Sequence, residues 1–193
     1  MKWILPGTVL EADPAETQRL EERFRCMFLA GGMVLSQVSS ISGLEPHTIQ
    51  NWVKRGYLTP PQKKRYSLRQ LSRILIINML RSALPLEKIC GLLQYINGSL
   101  DDESDDLIDD TQLYFLFLRL ASYHRQMQNN TGREEYLQQV LADYTEPQPG
   151  AKDRVEKVLR IMLTAWAASQ LRQTAERMVA QLYEHEGEMY YGK

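Results

Sequence analysis

His47, Thr48, Gln50, Asn51, Lys54 and Arg55 share one short stretch with Ile49 and Trp52. A helix through them that turns Ile49 and Trp52 inward leaves the six polar side chains on its outer faces. That set suits a nucleic acid, because Gln and Asn pair bidentately with adenine edges while Lys and Arg neutralise phosphate. A few residues further on, Thr59-Pro60-Pro61 forces extended backbone, since each proline fixes its own φ and restricts its predecessor. Lys63, Lys64, Arg65, Tyr66 and Arg69 follow. A basic strand tipped by an aromatic can lie along phosphates or reach into the minor groove.

The charge distribution points the same way. The 193 residues carry a formal net charge of −1. Between Met33 and Asn97, however, nine basic residues (Lys54, Arg55, Lys63, Lys64, Arg65, Arg69, Arg73, Arg81, Lys88) face two acids, Glu45 and Glu87, which leaves +7 there and −8 elsewhere. Asp101, Asp102, Glu103, Asp105, Asp106, Asp109 and Asp110 come next, with no basic residue among them. This asymmetry predicts one segment for a polyanion and another that stays away from it.

Other chemistries find little support. No nucleophile elbow, phosphate loop or carboxylate–histidine cluster is present, so an enzyme is not expected. His47 has no second ligand at i+3 or i+4, and Cys26 and Cys90 form neither a metal pair nor a disulfide framework. No metal or cofactor is expected, and both thiols read as packing groups. The apolar runs, such as Ile74–Ile77, are far shorter than the about 20 residues a membrane span needs, and the first residues do not make a signal peptide. A cytoplasmic protein without membrane contact is expected. Tyr114, Phe115, Phe117, Tyr123, Tyr136, Tyr144 and Trp166 fit an aromatic helical core or the lining of an effector pocket. An unknown small-molecule effector therefore stays among the candidate partners.

The elements that must position these residues are helices. Asp13-Pro14-Ala15-Glu16 reads as a helix start with a capping box, and Leu20, Phe24, Met27 and Phe28 recur behind it until Gly31-Gly32. Leu35–Ile41 ends at Gly43 and Pro46–Arg55 ends at Gly56. A helix-turn-helix needs a small residue at its crossing, a turn glycine and apolar anchors in its second helix; Ser39, Gly43, Ile49 and Trp52 stand at those relative positions. Ser67-Leu68-Arg69-Gln70 opens a helix with Leu71, Ile74, Leu75, Asn78 and Met79 on one face. Pro85 opens another, carrying Ile89, Leu92, Leu93 and Ile96. Asn97–Asp110 reads as an acidic linker or exposed loop, whose Asp109 and Asp110 suit the N-terminus of a densely apolar helix from Thr111 to Met127. A turn at Asn129–Gly132, a helix at Arg133–Tyr144 and a break at Pro147–Gly150 precede a long last helix, Ala151–Glu186. That helix carries two stripes: Val155, Leu159, Met162, Trp166 and then Leu171, Ala175, Met178, Leu182. Two stripes exceed what one small domain buries, which predicts a subunit interface.

The order helix, glycine turn, helix, Gly56-Tyr-Leu-Thr-Pro-Pro61, then Arg65-Tyr66-Ser67 and Leu71, resembles the DNA-binding head of MerR-family regulators, and Ser82–Ile89 looks like the hinge and helix that close that head. Within that group, Asn51-Trp-Val-Lys54 with Pro60-Pro-Gln-Lys-Lys-Arg-Tyr66 is more similar to a bacterial family of unknown function that carries a MerR-like helix-turn-helix. The resemblance covers about residues 33–97. It implies an all-α protein with at most a minimal β wing: a helical extension at 1–32, a MerR-like winged helix at 33–97, an acidic linker at 98–110 and a helical dimerisation or effector domain at 111–193. It also implies a dimeric, sequence-specific, double-stranded-DNA-binding transcription regulator of bacterial type, with His47, Thr48, Gln50, Asn51, Lys54 and Arg55 on the recognition helix and Lys63, Lys64, Arg65, Tyr66 and Arg69 on the wing. The alternative is a protein-interaction module that docks an acidic partner on the same head.

Overall fold

The computed structural model describes residues 3–13, 17–126 and 133–191, with backbone alone at 17, 18, 126, 133 and 184–191. In chain order its elements are β1 (Trp3–Ile4), β2 (Glu11–Ala12), α1 (Thr17–Met27), β3 (Met33–Val34), α2 (Leu35–Ser42), α3 (Pro46–Lys54), β4 (Arg65–Tyr66), α4 (Leu68–Leu80), α5 (Leu86–Asn97), α6 (Asp110–Gln126), α7 (Arg133–Val140) and α8 (Ala151–Tyr191). A single 3₁₀ turn lies at Glu103–Asp105. The all-α expectation holds. The β content is two antiparallel pairs of two-residue strands, Trp3 opposite Ala12 and Met33 opposite Tyr66. Among the described residues no helix is long and apolar enough to cross a membrane.

Helix α4 is the axis of the molecule. Leu71, Ile74, Leu75, Ile76, Ile77 and Leu80 are fully buried, and Ser72, Arg73 and Met79 nearly so. Spacing alone predicts one apolar face for this helix. The run Ile74-Leu-Ile-Ile77 has apolar side chains on every side, so the helix is stable only where neighbours cover it all round. Helices α2, α5, α6 and α8 supply that cover. One core consequently runs from Trp3 to Trp166 and draws on residues of both 33–97 and 111–166. The closing end of the acidic segment belongs to that core through Leu107 and Ile108, and the Leu107 N–H donates to the Ile96 carbonyl at 2.8 Å.

The N-terminal segment also departs from expectation. Its proposed capping residues 14–16 lie outside the described residues, as does the expected turn at 129–132. Ahead of α1, β1 and β2 form a hairpin that buries Trp3 and Leu5. Gly7, at φ +77°, passes so close to α4 that a Cβ there would collide with the Leu75 carbonyl. Helix α1 buries Leu20 and Phe24, and Phe24 meets Phe115 of α6 edge to face. Cys26 is exposed, so it is not a packing group; Cys90 is half-buried, and burial pushes its thiol up.

Candidate nucleic-acid interface

Helices α2 and α3 meet across Gly43, which sits at φ +69° and ends α2 with its N–H donating to the Ser39 carbonyl at 2.8 Å. A side chain would be strained there and would press on Val9 Cγ1 at 2.6 Å. Hydroxyls complete the turn. Ser39 Oγ donates to the Leu44 carbonyl at 2.6 Å, and Ser42 Oγ donates to the Val38 carbonyl at 2.7 Å. Two outside braces hold it: the Val9 N–H donates to the Ile41 carbonyl, and Asn78 Nδ2 of α4 donates to both the Ser42 and Gly7 carbonyls.

Pro46 opens α3 at a position where a missing N–H costs nothing. Ile49 and Trp52 point into the core at 0% and 3% exposure, which leaves His47, Gln50, Asn51, Lys54 and Arg55 exposed and Thr48 half-buried. The helix ends in a Schellman motif, with Gly56 N–H on the Val53 carbonyl and Tyr57 N–H on the Trp52 carbonyl. Arg55 is partly engaged. Its guanidinium lies over the Tyr57 ring and 3.3 Å from Glu87 Oε1, which also accepts from the Tyr57 hydroxyl. Exposed pairs of this kind contribute little and can exchange partners.

The segment after α3 makes a tight hairpin. Gln62 pairs with Arg65, whose N–H donates to the Gln62 carbonyl at 2.8 Å. The two residues between them, Lys63 and Lys64, both have positive φ, 49° and 63°. These are the central positions of a type I′ turn, where Asn-Gly is preferred because side chains are strained. Two exposed lysines therefore occupy the strained tip. At its base, Gln70 Nε2 donates to Thr59 O, Thr59 Oγ1 and Pro60 O, and the same side chain accepts from the Ser67 N–H in the capping box of α4. The sequence showed that capping box but not its grip on the hairpin.

Two expected wing residues are elsewhere. Strand alternation turns Arg65 outward and Tyr66 inward, so Tyr66 is 3% exposed and offers no surface to a ligand. Arg65 remains exposed while its Nη1 donates to the Gly32 carbonyl at 2.9 Å. Arg69 is held by the acidic segment, 2.5 Å from Asp106 and 3.2 Å from Glu103, with Asp109 and Asp110 within 4 Å. Next to it Arg73, 7% exposed, donates Nε to the Tyr57 carbonyl at 3.0 Å and lies 3.2 Å from Asp110, which is itself 1% exposed. Asp109 caps α6 by accepting from the N–H groups of Thr111 and Gln112, and Asp110, in the first turn as expected, also closes this buried pair. The acidic run thus folds back onto α4. A cleft of about 690 Å³ lies between it and the hairpin.

The ionic clasp has a titratable member. Burial pushes Asp106 up to about 6 against the opposing pull of Arg69. Burial also raises Asp110, against Arg73. A carboxyl raised in the folded state binds its proton more tightly there than in the unfolded chain, so its contribution favours folding as the pH falls from about 7 toward 4. Melting curves are expected to shift to higher temperature between pH 7.5 and 5, with a smaller shift in Asp106→Asn; identical pH profiles for the two proteins would contradict this electrostatic account.

Comparison with known proteins gives the following. A family model matches residues 32–117. It is described as a domain of unknown function, DUF1836. The matched span takes in α2, α3, the hairpin, the acidic clasp and the start of α6. The chain is also similar to the uncharacterised protein YkrK of Bacillus subtilis (strain 168), at 28% identity over 116 residues, 58% of this chain and 50% of that protein. The chain spans about half the length of the curated relative it matches. No solved structure matches it. The matched span ends within α6, beyond the about 33–97 of the expected head.

Several cations of residues 33–97 remain for a ligand. Lys54, Lys63, Lys64, Arg81 and Lys88 make no ion pair among the described residues, and Arg65 makes only its hydrogen bond to Gly32. Lys54 sits at the end of α3, while Lys63, Lys64 and Arg65 form the hairpin tip just after it. No group of three or more His, Cys, Asp or Glu able to hold a metal occurs among the described residues.

Proposed function

We propose that the chain is a sequence-specific double-stranded-DNA-binding transcription regulator of bacterial type, acting in the cytoplasm as a homodimer with a MerR-like winged helix-turn-helix as its head. The observation that carries this reading is the division of α3. Its buried anchors, Ile49 and Trp52, hold up an outer surface of His47, Gln50, Asn51 and Lys54, with an unpaired lysine hairpin immediately following. Gln and Asn read base edges in the major groove; the lysines and Arg65 neutralise phosphate on either side. In a dimer, Lys63, Lys64 and Arg65 of two heads reach six phosphates.

Salt dependence tests the reading. With six phosphates neutralised, affinity for duplex is expected to fall about a thousandfold between 50 and 200 mM salt. Lys63/Lys64/Arg65→Ala should weaken binding to all sequences alike. Asn51→Ala should change sequence preference in a selection from random duplexes. Binding that ignores salt, or no binding at 50 mM, removes the proposal.

A further inference from the structure

An open cleft of about 990 Å³ lies at the end of α4 remote from the lysine hairpin. The N-terminal hairpin at 3–8, the last turn of α6 and the middle of α8 complete its walls. Its floor offers a ligand nothing, because Trp3 and Trp166 are core residues, 2% and 7% exposed. Recognition falls to the walls, and these are cationic. Arg81 comes from the end of α4, Arg125 from the last turn of α6 and Arg177 from α8, and all three are exposed. Arg81 and Arg125 make no ion pair among the described residues, and Arg177 donates to Gln173 and Thr174 of its own helix. Glu176 is the one acid among the described lining residues, so three arginines against it leave a formal +2. Glu176 is itself engaged, 3.6 Å from Arg172. Ser82, Gln170 and Gln173 add neutral polar groups between the cations. Arg125 and Arg177 also belong to the part of the chain that carries −8, so the positive cleft runs against its background.

We propose that this cleft is an effector site for a small phosphate ester with a hydroxyl-bearing body, the class of the sugar phosphates. A phosphate monoester carries about two negative charges near neutral pH, and its oxygens meet guanidinium groups bidentately. A carboxylate would supply half that charge. The cleft is far larger than a bare phosphate and falls within the roughly 300–1,000 Å³ of small-molecule sites. Polar walls over a closed floor suit hydroxyl groups rather than an apolar ring. Tyr114, Phe115 and Phe117, which the sequence offered as a pocket lining, are core residues at 3% exposure or less.

The cleft also reaches a brace of the α2–α3 turn. Asn78, one turn before Arg81 on α4, lines it and donates to the Gly7 and Ser42 carbonyls. A ligand seated against this end of α4 therefore touches the group that holds that turn. On α8, Gln170, Gln173 and Arg177 share one face, while Leu171, Ala175, Met178 and Leu182 lie on another.

The test uses the full chain with glucose 6-phosphate, ribose 5-phosphate and glycerol 3-phosphate as probes. At least one is expected to bind once per chain in calorimetry and to raise the melting temperature. The parent sugar or glycerol, and inorganic phosphate, should each bind at least about tenfold more weakly. Arg81→Gln with Arg177→Gln exchanges two exposed side chains, so the fold should persist while affinity falls at least about tenfold. Lys63→Gln with Lys64→Gln, at the other end of α4, should leave probe affinity unchanged. None of these readouts involves DNA, so their failure is separate from failure of the DNA-binding reading. The proposal is overturned if no probe binds at 10 mM, if inorganic phosphate binds as tightly as the esters, or if the double Arg variant folds and binds equally well. It is also overturned if the lysine variant loses the probe, which would move binding to the head, or if the probe blocks association of two chains, which would make the cleft a subunit contact.

Discussion

Replacing Lys63 by Asn and Lys64 by Gly is expected to make the protein more stable and a much poorer DNA ligand. The two lysines hold φ of 49° and 63°, a conformation that costs an L residue roughly 1–2 kcal/mol relative to glycine. Asn-Gly is the preferred pair for the same turn, so K63N/K64G should gain about 1–2 kcal/mol, or roughly 2–8 °C in Tm for a chain of this size. A dimer would lose four phosphate contacts, so the slope of log affinity against log salt should shrink by about 3.6, and affinity at 100 mM salt should fall by at least about fiftyfold for any duplex. Calorimetric melting and duplex titration at several salt concentrations read the two effects. The opposite signs matter. A substitution that merely damaged the head would lower both quantities, and one at an idle turn would raise stability with no cost in binding. If K63N/K64G keeps wild-type affinity, the hairpin is not a DNA contact and the charge there has another use.

Strain held at an exposed charged tip is a structural pointer that the sequence alone did not yield. Lys63-Lys64 carries no turn signature, because the residues that usually mark a type I′ turn are absent. The turn forms because both of its ends are held: Gln70 grips Thr59 and Pro60, and Arg65 pairs with Val34 across β3 and β4. The helix pair was more legible. Ser39, Gly43, Ile49 and Trp52 have spacings that local backbone geometry enforces: Ser39 and Gly43 meet at the end of α2, and Ile49 and Trp52 are buried. Long-range ionic contacts were not. Arg69 belongs on a basic stripe when only neighbours in sequence are weighed, yet Asp106 and Asp110 return from 37 or more residues away, or across the fold, to hold it and Arg73. The same blindness hid the N-terminal hairpin, since two-residue strands have no alternation to detect. Apolar density, by contrast, told correctly that α6 is buried on more than one side, and misled only in assigning α4 a solvent face.

Leu171→Glu with Met178→Glu is expected to convert a dimer to monomers and to lower DNA affinity by at least about a hundredfold, since linked heads gain roughly 10²–10⁴ over single ones. The stripes of α8 divide at Ser169. Val155, Leu159, Met162 and Trp166 are buried against the body, whereas Leu171, Met178 and Leu182 are 74%, 62% and 65% exposed. With Ala175 they recur at intervals of four, three and four, the a/d spacing of a helix that pairs with another. The helix runs on to Tyr191 with no neighbour against that face among the described residues. An isolated helix with a bare apolar stripe is marginal in water, so the regularity of the stripe argues for a second copy. Because Leu171 and Met178 are 74% and 62% exposed, glutamate should leave the fold and Tm of the body intact while sedimentation reports a monomer. A variant that stays dimeric, or a wild-type chain monomeric at micromolar concentration, would place the subunit contact elsewhere. On the proposed DNA-binding function, two heads joined this way would present their α3 helices to successive major grooves about 34 Å apart, which calls for a two-fold symmetric site on the DNA. Random-duplex selection on the dimer should therefore return inverted repeats, and the same selection on the glutamate variant only single half-sites.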